Sequence, residues 1–184
     1  MNKLPIVALC LMIALVTVAV AQTPRYGVGR LASPEEIRKR DISVAADGSG
    51  LPTGRGTVEQ GRYVYRMLCA NCHGDRGQGA APYPALVGGH GTLSSKNPVL
   101  TVGSYWPYAT TVWDFIHRTM PYQRPGSLTV DETYSVTAFI LFMNGMLDEK
   151  TELNERTLAH VKMPNRDGFV PDPRPDISAT KSQK

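Results

Sequence analysis

Hydrophobic and polar positions divide this chain into blocks that each ask for a different structure. Leu4 to Val18 is almost wholly apolar, follows Lys3, and runs into Ala19-Val20-Ala21 before Gln22. A short basic region, an apolar run too short for a membrane span and an A-x-A site together read as an export signal over residues 1–21, removed on maturation. An uncleaved N-terminal anchor is the alternative. From 22 to 56 the pattern is polar and broken. Ser33 as N-cap and Pro34 in the first turn predict a short helix through Arg40. Gly48, Gly50, Pro52, Gly54 and Gly56 then interrupt regular structure, so 22–56 reads as an extended arm.

A compact domain is expected over 57–147. Thr57-Val58-Glu59-Gln60 has the form of a capping box, in which the Thr hydroxyl and the Gln side chain satisfy each other's backbone donors. The helix it opens should run to about Ala70, with Gly61, Tyr65 and Leu68 on one face. A glycine inside a helix costs about 1 kcal/mol relative to Ala, so Gly61 points to a second helix crossing there. Thr129-Val130-Asp131-Glu132 is a second capping box, followed by the apolar run Tyr134–Met143 and the stop signal Asn144-Gly145. Between these helices the chain is rich in glycine and proline, with one further helix predicted over Thr110–Arg118. The polar tail, 148–184, has some helical character up to Val161; after that Pro164, Pro171, Pro173 and Pro175 keep it extended. The pattern predicts an all-α domain whose loops need something apolar to wrap.

Cys69-Ala70-Asn71-Cys72-His73 supplies that object. C-x-x-C-H is the attachment pattern of a c-type haem: two thiols add across the haem vinyl groups, and the adjacent histidine lies under the iron. A thioredoxin-like dithiol would sit beside a βαβ pattern, which is missing. A zinc site needs two more ligands at matched spacing, yet His90, His117 and His160 are scattered singly. The third cysteine, Cys10, falls in the export signal, so the mature chain keeps only the haem pair. One motif and no internal repeat mean one haem. The signal and the motif agree with each other and indicate a periplasm.

Charge adds little. The formal net charge is +4 and is spread along the chain, which gives no reason to invoke nucleic acid.

The iron's sixth ligand has several candidates. Met67, Met143 and Met146 suit helix surfaces or packing. Met120 and Met163 both precede a proline, which pushes a residue out of the helical region. Met120 is favoured because it begins the loop between two predicted helices, whereas Met163 lies past the last one. A histidine or an open site is the remaining alternative. On the other face, a ligand histidine normally donates its second ring nitrogen to a carbonyl. The Pro84 carbonyl could accept from His73, and a simple turn at Pro84 is an equal alternative.

Over 57–147 the pattern resembles class I cytochromes c. Gly61 and Tyr65 match that family's N-terminal helix, and Val136, Ala138 and Phe139 its C-terminal helix. Pro84-Ala85-Leu86 is similar to the segment beside the proximal histidine, and Met120-Pro121 to the distal loop. The resemblance implies a fold of crossed terminal helices around one covalent haem c, with Pro84 at the proximal side. A narrower resemblance rests on Thr101–Thr111, Met120-Pro121-Tyr122, Pro125–Leu128 and Met163–Phe169. These runs are similar to cytochrome subunits accompanying periplasmic molybdenum enzymes that oxidise sulfane sulfur or sulfite. It implies an electron-accepting subunit with a molybdenum-containing dehydrogenase as donor and a soluble cytochrome or oxidase as acceptor. No membrane span is expected after signal cleavage. Two other functions fit the haem motif: a freely diffusing electron carrier, and a haem enzyme or sensor with an open sixth site. Tyr105, Trp106, Tyr108 and Trp113 read first as pocket lining and core, and second as a docking surface.

Overall fold

The computed structural model describes residues 28–171 of the chain. The expected export signal at 1–21 and the segments 22–27 and 172–184 lie outside the described residues. The structure divides into an N-terminal unit ending at Asp41 and a larger unit from Ile42 onward.

In the first unit, α1 (Pro34–Arg40) is closed by a full capping box: the Ser33 hydroxyl accepts from the Glu36 N–H, and the Glu36 carboxylate accepts from the Ser33 N–H at 2.8 Å. Arg30 pairs with the same carboxylate. None of its residues is buried.

The larger unit is built around one buried helix. The elements run β1 (Arg55–Thr57), α2 (Val58–Leu68), α3 (Ala70–His73), α4 (Ala109–Thr119), α5 (Val130–Met143) and β2 (Glu152–Asn154), then a 3-10 turn at Leu158–His160. Both predicted capping boxes are present, at Thr57/Gln60 and Thr129/Glu132. α5 is buried on every side from Thr133 to Leu141, as expected of a helix that is apolar all round. Its buried hydroxyls are satisfied within the helix: Thr133, Ser135 and Thr137 donate to the carbonyls four residues earlier at 2.7–2.8 Å.

α2 crosses α5 at Gly61. A Cβ built on Gly61 would lie 1.8 Å from the Ser135 carbonyl oxygen, so only glycine permits this approach. Next to the crossing, Tyr65 meets Phe139 edge-on with ring centroids 5.4 Å apart. Gly56 does the same for β1, where a Cβ would meet the Ser135 nitrogen at 2.2 Å. The glycine-rich run before Thr57, expected only to break structure, therefore also serves close packing.

Two features depart from expectation. The helices are as predicted for an all-α domain, but β1 and β2 form a small antiparallel ribbon pairing Arg55 with Asn154, Gly56 with Leu153 and Thr57 with Glu152. Helical character was expected there; the region instead contains a strand and a single 3-10 turn. In addition, Leu153, Leu158, Val161 and Met163 are buried in the same core as α2, α4 and α5, although all four lie beyond residue 147. Among the described residues, no helix is long and apolar enough to cross a membrane.

Candidate functional site

α2 and α3 present the cysteine motif. Cys69 caps α2, donating its N–H to the Tyr65 carbonyl at 2.8 Å, while Cys72 and His73 donate theirs to the Cys69 carbonyl at 3.1 and 2.9 Å. The motif is thus one continuous helical turn, with both thiols and the imidazole on a fixed frame. The Tyr65 hydroxyl locks its end by donating to the Gly74 carbonyl at 2.8 Å. Tyr65 was expected only as part of a helix face; its position four residues before Cys69 is the signal for this second role.

Both cysteines are free. Burial pushes the Cys69 thiol up to about 12, with Cys72 adding to the shift. A redox-active dithiol needs the opposite, a stabilised thiolate. No group of three or more His, Cys, Asp or Glu among the described residues is arranged to hold a metal ion alone.

His73 Nδ1 donates to the Pro84 carbonyl oxygen at 3.0 Å. A carbonyl can only accept, so the proton lies on Nδ1 and Nε2 keeps its lone pair for an iron. Pro84 itself is held in a loop that returns to the motif: Gly79 donates to the His73 carbonyl at 2.8 Å, and Leu86 to the Gly77 carbonyl at 2.8 Å.

Cys69, Cys72, His73 and Pro84 line one apolar cleft of about 380 Å³. Its walls come from α4 (Val112, Phe115, Ile116), from α5 (Val136, Ile140) and from the loop Leu100–Val102. Met120 and Pro121 complete the lining. Met120 ends α4 in an extended conformation, φ −116° and ψ 149°, as a residue before proline should. Among the described residues it is the one methionine in this cleft. Met163, by contrast, is 3% exposed within the core and does not line the cleft. Two thiols, a tautomerically fixed imidazole and a thioether around an apolar slot fit a covalently held haem. A larger, open depression of about 640 Å³ beside α1, bordered by Arg30, Glu36 and Arg40, has no such donor set.

The aromatic cluster splits by role. Trp106 lines the cleft and meets Phe115 edge-on at 5.6 Å, whereas Trp113 is 1% exposed in the core. Tyr105 and Tyr108 instead hold the tail, against Phe169 (5.3 Å) and under the Arg166 guanidinium (4.8 Å) respectively. His117, expected on a helix surface, is half-buried and stacked on Trp113 at 4.7 Å.

Comparison with known proteins agrees with this geometry. The family model described as Cytochrome c matches residues 58–144. A solved structure, the sulfane dehydrogenase SoxCD from Paracoccus pantotrophus, contains a chain 45% identical to this one. The match covers 82% of this chain and 74% of that one, with a TM-score of 0.75. No curated protein sequence matches. The chain belongs to the cytochrome c family. Membership makes it an electron-transfer cytochrome and implies a covalent haem c, and Cys69 and Cys72 have the required spacing inside the matched residues.

Proposed function

We propose that this chain is the periplasmic, electron-accepting cytochrome subunit of a molybdenum-containing dehydrogenase that oxidises sulfane sulfur or sulfite. In this reading residues 1–21 direct export. Cys69 and Cys72 would form the two thioethers, and His73 Nε2 and the Met120 sulfur would bind the iron. When bound, haem c supplies a one-electron ferric/ferrous couple. The chain's own residues do the rest. Pro84 fixes the His73 tautomer through Nδ1, α4 and α5 exclude water from the cleft, and the extended backbone at Met120 brings the thioether into the cleft. A soluble cytochrome or oxidase would take the electrons onward.

The observation that supports the site most directly is that Met120 lines the same apolar cleft as Cys69, Cys72 and His73. Histidine and methionine ligation raises a haem's reduction potential and suits electron transfer. The dehydrogenase partner is supported by the 45% identity to a chain of a sulfane dehydrogenase.

Two measurements test the reading. Met120→Ala should lose the low-spin, methionine-ligated spectrum and lower the reduction potential by on the order of 0.1 V, within the roughly 0.8 V that axial ligands span. An unchanged spectrum and potential would remove Met120 from the ligand set. A tagged chain isolated from its host should retain a molybdenum-containing polypeptide. Isolation always without one would favour a freely diffusing carrier.

A further inference from the structure

Asn144 follows the last residue of α5, and in sequence it looks like a helix stop before Gly145. A residue that only stops a helix has no need of a buried amide, yet Asn144 is 6% exposed. Its side chain makes three hydrogen bonds, all to main chain. Nδ2 donates to the Ile140 carbonyl at 2.9 Å and to the Leu86 carbonyl at 3.1 Å, and Oδ1 accepts from the Gly88 N–H at 3.2 Å. The first bond is local to α5. The other two reach back into the loop that carries Pro84.

That loop is held on every side. Leu86 donates its own N–H to Gly77 at 2.8 Å, and the Gly88 carbonyl accepts from the Thr101 hydroxyl at 2.6 Å. Gly103 closes over the amide, since a Cβ built there would lie 2.1 Å from Asn144 Oδ1. Leu86 and Gly88 are therefore pinned through both backbone groups. Pro84, two residues before Leu86, meets His73 through the carbonyl whose position this anchoring decides.

We propose that Asn144 is a positioning residue for the proximal histidine. By fixing Leu86 and Gly88 it holds the Pro84 carbonyl against His73 Nδ1, and so sets how basic Nε2 is as an iron ligand. The inference rests on the haem reading above. An Nδ1–H to carbonyl bond raises imidazole basicity, which favours the ferric state. Loosening the loop should therefore favour the ferrous state and raise the potential. An amide suits this place, because it donates to the Leu86 carbonyl while accepting from the Gly88 N–H.

The test uses the full chain with its cofactor attached. Wild type must first show covalent haem by its pyridine haemochrome; a wild type without it would refute the haem reading itself. Asn144→Leu, similar in size and neutral like the amide, removes both donors and the acceptor for Gly88 without adding a charge near the iron. We expect its ferric/ferrous equilibrium to shift about tenfold towards the ferrous form, about 59 mV for one electron. The His73 ring signals in the NMR spectrum should shift with it. Leu153→Ala is the control: it weakens the core from β2, has no bond to the loop, and should leave the potential unmoved. Equal potentials for Asn144→Leu and Leu153→Ala, or unchanged His73 signals, would overturn the proposal. If Asn144→Leu does not fold, Asn144→Gln carries the same comparison. It keeps donor and acceptor one methylene out of register, and should move the potential in the same direction by a smaller factor.

Discussion

At the residue scale, single atoms decide whether the two long helices can meet. Gly61→Ala would drive a Cβ into the Ser135 main chain and the Phe139 Cβ, and neither neighbour can swing aside. The expected cost is about 3 kcal/mol, at the upper end of ordinary overpacking, read as a lower urea midpoint with unchanged slope. Trp113 and His117 pose a different question. Trp113 Nε1 and His117 Nδ1 are both buried without a hydrogen-bond partner. Trp113→Phe should therefore destabilise by less than the 3–5 kcal/mol of a Trp→Ala truncation, because the lost packing is offset by removal of an unpaired donor. Gly61 and Met120 were legible in the sequence because local physics marked them: a costly helical glycine, and a methionine forced extended by proline. Asn144 was not. An asparagine before glycine is explained fully by a helix stop, and nothing nearby in sequence shows that Leu86 and Gly88 lie against it.

At the scale of elements, the helices were readable because their starts have written signatures. Ser33 as N-cap and the boxes Thr57/Gln60 and Thr129/Glu132 each appear as expected, and Glu36 completes a third box at Ser33. The ribbon was not readable. Three-residue strands carry too little alternation to stand out, and β2 exists because β1 is there to pair with it. The cap of α1 makes a pH prediction. The Arg30 guanidinium, and then the Ser33 N–H, hold the Glu36 carboxyl well below its ordinary 4.5, at about 2. A lowered value means that the cap's contribution is complete above the ordinary range and lost as pH falls through about 2. The Glu36 side-chain carboxyl carbon should accordingly keep its ionised NMR shift at pH 3.5, where free glutamates are largely protonated. Salt should weaken the effect, since the pair is exposed.

At the scale of the whole molecule, the domain is larger than its family pattern. The family match ends at 144, and polarity after Leu147 suggested that the packed region ended with it. Leu158 is nevertheless fully buried, and Leu153 is 1% exposed. Their spacing, with Val161 and Met163, follows neither a helical nor a strand period, which is why the sequence concealed them. Leu158→Ala should cost 2–5 kcal/mol in thermal or urea unfolding, roughly as much as a truncation in the centre of a core.

The β1–β2 ribbon also carries a consequence in time. It joins segments that are far apart in the chain, as in the 3.5 Å contact between the Gly54 N–H and the Glu155 carboxylate, 101 positions apart. Closure of that loop is entropically costly, and it must wait until the chain has been made through Asn154. Cys69 and Cys72 emerge much earlier. In the closed domain both thiols are only half-exposed, on the wall of the cleft. The interval before the ribbon zips shut is therefore when both thiols are most accessible. A mutation that delayed that zipping, such as Gly56→Val at the β1–α5 contact, would lengthen the period available for cofactor attachment even as it weakened the finished fold.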